Sequence, residues 1–235
     1  MPEFRPAQTH GAISEVFPDV FSVTGRYFFA RGIGITRNMT LVRQQGELVA
    51  INSVRLSEQG ERELEALGKL THVVRTGFFH GSDDAYYAHR YGAKLWAREG
   101  TASGYEALSS DHSPLSDAQV FAFEKGLKQE SVVLLARHGG ICVPCDSYQN
   151  WTQATFDGCS FLGKWLTRAM GFGPTIIGGP WLKAMGPSVR ADFERLLEAP
   201  FAHLIPAHGT VLKDDAHAGL EKAIAHRFGS SASSR

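Results

Sequence analysis

Two hydrophobic periods succeed one another along the chain. β-Branched and aromatic residues crowd "VFSVTGRYFF" from Val20 and "MTLVRQQGELVAINS" from Met39, the second run broken at Gln45-Gly46. Each run predicts a strand, and the break predicts a hairpin turn. The period then lengthens: in "LSEQGERELEALGKL" Leu64, Leu67 and Leu70 recur at helical spacing, with Ser57 placed as N-cap and Gly68 as stop signal. This predicts an amphipathic helix. "THVVRTGFF" predicts a buried strand, "SDDAYYAHRYG" a short helix capped by Ser82 or Asp83, and "AKLWA" another strand. The polar stretch from Thr101 to about Gln119 predicts a loop with little regular structure. "SVVLLARHGGICVPCDS" predicts a second hairpin around His138-Gly139-Gly140. Helices are expected around "FLGKWLTRAMG" and "SVRADFERLLEA", a strand at "AHLIPAH", and a last helix from about Asp214 to His226. No internal repeat or linker-like segment interrupts this order, which favours one domain.

Composition narrows the partners. A chain of 235 residues, 43 % hydrophobic and 20 % charged, suits a globular domain with a sizeable core. Lys plus Arg and Asp plus Glu balance at 24 each, so charge points to neither nucleic acid nor an acidic membrane surface. A small-molecule substrate or ligand is the default partner, and no sequence feature bears on oligomeric state. The N-terminus lacks the basic and apolar regions of a leader, and no run approaches the ~18 apolar residues of a membrane span, so the expected location is cytoplasmic. The three cysteines Cys142, Cys145 and Cys159 form an odd set that suits reduced thiols. The tail at 229–235 is expected to be disordered.

Three pieces end apolar strands with polar residues: "FFHGSDD", "VPCDSYQN" and "IPAHGTVL". Strand ends are where a layered scaffold projects side chains into a common cleft, so His80, Asp146 and His208 can meet there. Imidazole nitrogen and carboxylate oxygen together suit zinc, iron or manganese and leave a position for water. Structural roles compete with this reading. Asp83 and Asp84 also suit the cap and dipole of the following helix, Asp146 an Asx-turn, and His208-Gly209 a turn. His112, in the polar loop, can reach over a cleft as acid, base or extra ligand. The "CVPC" pair sits at a strand rather than a helix N-terminus, which makes its cysteines packing residues rather than redox ones. Strand alternation puts Cys142 on the face of Asp146 and Cys145 on the other.

In their order, "THVVRTGFFHGSDD", "ICVPCDS" and "LIPAHGTVL" resemble the metallo-β-lactamase fold superfamily, in particular a small branch with a degenerate metal motif, from about Asp19 to His226. The resemblance implies an α+β fold: a four-layer αββα sandwich, a single domain over 19–228 behind an N-terminal extension of 1–18, with a metal cleft at one edge of its two sheets. The motifs also depart from the pattern. The leading His-x-His-x-Asp-His motif would place its first two histidines on Phe78 and His80 and its Asp-His pair on Ser82 and Asp83; a shifted register brings Asp84 to the carboxylate position. An apolar Phe78 ring at the first ligand position would dry the cleft. Near "EKGLKQES", where a further histidine belongs, only Glu130 offers a carboxylate.

What the resemblance leaves is a ligand set of His80, Asp83, Asp146 and His208, with Asp84, His112 and Glu130 as accessory candidates. That set suits one zinc, iron or manganese ion, or none. Asp146 and His208 are the residues expected to act in catalysis. The implied activity is hydrolysis of an ester, lactone, thioester or phosphoester. The alternative is a non-catalytic protein that binds a ligand or partner on the same scaffold with its metal centre lost.

Overall fold

The structure, a computed structural model, describes residues 4–229. From 230 on, the tail expected to be disordered lies outside the described residues. The first half consists of β1 (Ser14–Phe17), β2 (Val20–Ala30), β3 (Ile33–Gln44), β4 (Glu47–Ile51), α1 (Glu58–Leu67), β5 (Lys69–Arg75), α2 (Asp84–Tyr91), β6 (Lys94–Ala97) and β7 (Glu106–Ala107). These strands make one sheet in sequence order, antiparallel through β4 and parallel from β4 to β7. The second half begins with β8 (Ala118–Ala122), β9 (Ser131–Leu135), β10 (Ile141–Pro144) and β11 (Tyr148–Gln149). It continues with α3 (Gln153–Gly158), α4 (Phe161–Ala169), β12 (Ile176–Ile177), α5 (Gly179–Met185), α6 (Arg190–Leu196), β13 (His203–Leu204) and α7 (Ala216–Phe228). Its main sheet runs β13-β10-β9-β8, while β11 and β12 pair separately.

The layers follow from the two-residue period of the strands, which sends successive side chains to opposite faces. Val42, Val49, Ile51 and Val74 of the first sheet meet Val133, Leu135, Ile141 and Val143 of the second. Their neighbours Leu41, Leu48, Ala50 and Val73 turn outward beneath Leu64 of α1 and Tyr87 of α2. On the far side Val132, Leu134 and Cys142 lie under Trp181, Phe193 and Leu220 from α5, α6 and α7. Three apolar interfaces between four layers make the αββα sandwich.

Local signals explain the boundaries. Gln45 and Gly46 both take positive φ, 53° and 80°, as a tight turn matched to strand twist requires. Ser57 caps α1 by accepting from the Gly60 N–H. Elsewhere the chain departs from its pattern. The stretch read as loop carries β7, held to β6 by backbone pairing, and ends where β8 begins at Ala118. "AHLIPAH" keeps only two strand residues, the second of which, Leu204, also bridges Leu212. The helices α3 and α5 are six and seven residues long, too short to print a period. Sheet pairing begins at β1, inside the segment read as an extension. Among the described residues, no helix is long and apolar enough to cross a membrane.

Candidate metal centre

Three loops at one edge of the sandwich supply the cluster. After β5, Arg75 donates from Nε to the Gly77 carbonyl at 2.9 Å and from Nη2 to that of Phe78 at 2.8 Å, curling the chain back on itself. Gly81 completes the curl at φ 103°, where a Cβ would meet the Arg75 side chain at 2.8 Å. The curl holds His80 buried at the cleft floor. Asp146 follows β10, and its N–H donates to Glu130 Oε1 at 3.3 Å. His208 lies past β13 in a loop gripped by Asn38, whose side-chain amide donates to the carbonyls of Pro206 (2.8 Å) and Gly209 (2.7 Å). Gly209 has φ 113°, and a Cβ there would stand 2.0 Å from the Asn150 carbonyl, so no other residue fits.

The three side chains meet. His80 Nε2 lies 3.2 Å from His208 Nε2 and 3.5 Å from Asp146 Oδ2, and His208 Nε2 lies 3.2 Å from Asp146 Oδ1. His208 Nδ1 stands 2.7 Å from the Thr36 carbonyl. A carbonyl only accepts, so Nδ1 carries a hydrogen toward Thr36, and the ring turns its Nε2 to the cluster. Burial drives the His80 pKa down to about 3, against the upward pull of Asp146, so this ring is neutral near pH 7. Asp146 is pushed upward by burial but lies well below the usual carboxylate range, because His80 when protonated and the hydrogen bond with His208 outweigh that push. Two imidazole nitrogens and a carboxylate oxygen thus converge within 4.8 Å of one another. Such a donor set fits a divalent cation, and the Thr36 carbonyl behind His208 is the kind of outer contact that orients a ligating ring.

The other candidates stand elsewhere. The Asp83 carboxylate is ion-paired with Arg37 of β3 and accepts from the Arg55 N–H at 2.8 Å. It neither joins the cluster nor caps α2 with its side chain. Asp84 is fully buried and bonded to Ser53 Oγ (2.5 Å) and Tyr105 OH (2.8 Å). Glu130 lies behind Asp146 rather than in the cluster, and burial followed by the Asp146 charge raises its pKa well above the ordinary value. His112 is exposed, with its ring 4.9 Å from that of Trp96, and does not line the cleft. Strand geometry ends at Pro144, so alternation does not reach Asp146; Cys145 donates from Sγ to Asp146 Oδ2 at 3.2 Å, while Cys142 is buried under the helices. Phe78 packs on the outer core, and it is Phe79 that borders the cleft.

Asp84 carries a pH prediction. Burial raises its pKa above 3.8 despite the Ser53 and Tyr105 bonds. From near pH 4 upward the folded state therefore holds a proton that the unfolded state releases, and stability falls as pH rises through that window. Asp84→Asn retains both hydroxyl partners and cannot ionise. Urea midpoints measured against pH should show a shallower decline for the variant; an unchanged slope would place the titration elsewhere.

Sequence reading missed Arg37, Thr36 and the walls of the cleft. Arg37 left a signal: a charge inside the apolar strand "GITRNMTLV", which needs a partner if buried. The cleft above the cluster has a volume of about 520 Å³ and is walled by Tyr27, Ile35, Phe79, Trp151, Leu166 and Phe172.

Comparison with family models and with curated proteins gives no match. Solved structures do match. The crystal structure of VMB-1 aligns over 91 % of this chain and 96 % of its own, with TM-score 0.65 and 13 % identity. The metallo-β-lactamase FIM-1 from Pseudomonas aeruginosa, in its mono-zinc form, aligns over 94 % and 97 %, with TM-score 0.67 and 12 % identity. A flavo di-iron protein from Thermotoga maritima aligns over 94 % of this chain and 62 % of its own, with TM-score 0.63 and 12 % identity.

Proposed function

We propose that this chain, which has the metallo-β-lactamase fold, is a hydrolase that works with a single metal ion held by His80, Asp146 and His208. The observation that carries this reading is the convergence of two imidazole Nε2 atoms and one carboxylate at the cleft floor. Zinc, iron or manganese suits the set. An ion bound there supplies Lewis acidity and lowers the pKa of water.

The chain's own groups divide the remaining work. Thr36 fixes the His208 tautomer. The Trp151 ring lies nearly parallel to that imidazole, at 6.1 Å and 14°. Asp146, unprotonated near neutrality, can accept a hydrogen bond from an attacking water and orient it. Esters, lactones, thioesters and phosphoesters are the substrate classes open to this chemistry. FIM-1 in its mono-zinc form offers a related fold with one ion.

A second reading, ligand binding on the scaffold without catalysis, draws on the apolar walls of the cleft and on the clustering of only three donors among the described residues. Elemental mass spectrometry of protein purified without chelators separates the two. About one equivalent of metal is expected for a single-ion centre, with ester or phosphoester turnover that rises with loading. A folded protein that takes up no metal after supplementation would sink the hydrolase reading.

A further inference from the structure

The walls of the cleft say more than its floor. Besides the cluster, its charged lining residue is Arg37, and that guanidinium is neutralised by Asp83 in a buried pair. Among its polar lining groups, Gln149 donates to the Asp146 carbonyl and accepts from Trp151 Nε1, and Thr167 donates to Gly163, while Trp181 Nε1 and Arg37 Nε are buried without a partner among the described residues. What faces the ligand space is ring and hydrocarbon, from Ile35 and Trp151 to Leu166 and Phe172. The mouth is apolar too, with Phe29, Phe79 and Met170 at 51 %, 54 % and 49 % exposure. Apolar surface left at the rim of a cleft is the signature of a ligand that covers it. A substrate carrying a carboxylate or phosphate away from the cluster would find no free countercharge on these walls and would lose its hydration on entry.

We propose that the cleft takes a carboxylic ester or thioester with an uncharged, apolar acyl chain. The carbonyl sits at His80, Asp146 and His208, and the chain lies along Trp151, Leu166 and Phe172. The inference rests on the hydrolase reading for its reaction and on the cleft walls for its substrate. In that reaction water adds to the acyl carbon and the acyl carbon–oxygen or carbon–sulfur bond breaks. One proton of the water passes to the leaving alcohol or thiol, and the other stays with the carboxylic acid until it ionises.

Methyl ketones separate the two parts, because they present the same carbonyl and chain but cannot be hydrolysed. The full chain would be titrated with 2-alkanones of increasing length and with alkyl carboxylates of matched length, following the fluorescence of Trp151 and Trp181. In parallel, metal-loaded protein would be assayed on p-nitrophenyl esters from acetate to decanoate. Ketone Kd is expected to fall by roughly two- to fourfold per methylene, the upper figure being the limit for full burial. Carboxylates of equal length should bind more weakly to metal-free protein, and kcat/KM should rise along the ester series.

Leu166→Glu, which puts a charge in the wall, should erase the dependence on length while circular dichroism stays unchanged. Met170→Glu, at the half-exposed end of α4, provides the same test if the first variant does not fold. Ketone affinity independent of length, or carboxylates that bind more tightly than ketones, would overturn the substrate assignment. Length-dependent ketone binding in a protein without metal uptake or turnover would sink the hydrolase reading and leave the cleft assignment standing. Metal uptake and acetate turnover without length dependence would do the reverse.

Discussion

Replacing His208 with alanine is expected to abolish metal uptake at the proposed centre while leaving the sandwich folded. His208 supplies one of three converging donors, and its orientation is already set by the Thr36 carbonyl. Loss of even an outer contact to a ligand typically weakens metal binding by about 10- to 100-fold, so removing a donor itself should cost more than about a hundredfold. Turnover should fall with metal content. The structural cost is small by comparison: the Thr36 carbonyl loses one partner, worth about 1 kcal/mol, and the vacated space lies beside an open cleft rather than inside the core. Elemental analysis and thermal melting, run on the same preparation, check both halves. Unchanged metal content in a folded His208→Ala protein would remove this residue from the ligand set.

Asp83→Asn is expected to give the opposite pattern, a large loss of stability with metal content retained. The Asp83 carboxylate and the Arg37 guanidinium are both about 6 % exposed, and the guanidinium also lies over the Tyr27 ring at 4.6 Å. Neutralising one member of a buried pair strands the other charge out of water and typically costs about 3–5 kcal/mol. For a domain of this size that lowers Tm on the order of 10 °C. Replacing both partners with apolar residues should recover part of the loss, since the stranded charge is then gone. If Asp83→Asn instead lost metal with little change in Tm, the carboxylate would have to leave Arg37 and reach the ion, and the pairing described above would not be the functional one. Measured together, the two variants separate a residue that holds metal from one that holds the loop.

The contrast between these residues shows what could be read before folding. Periodicity sorted the strands and the longer helices, because burial on one face imposes a two- or 3.6-residue repeat on each segment by itself. Val42 and Leu41, or Val133 and Leu134, announce opposite faces without reference to any partner. The same logic placed His80, Asp146 and His208 at the ends of apolar runs, where a layered fold opens its cleft. Short pieces such as β7, α3 and α5 left no repeat to read.

What the tertiary structure alone decided is which polar groups pair. Asp83 and His80 lie three positions apart and carry equally plausible donors, yet one meets Arg37, a guanidinium 46 positions away, and the other meets His208, 128 positions away. The same holds for the His208 tautomer, set by a carbonyl 172 positions back, and for the apolar cleft wall that α4 brings to the site. Local sequence fixes how a segment divides its faces between core and water. The choice of partner for a buried charge or lone pair depends on which distant segments the packed layers bring within hydrogen-bond reach, and no single segment encodes that.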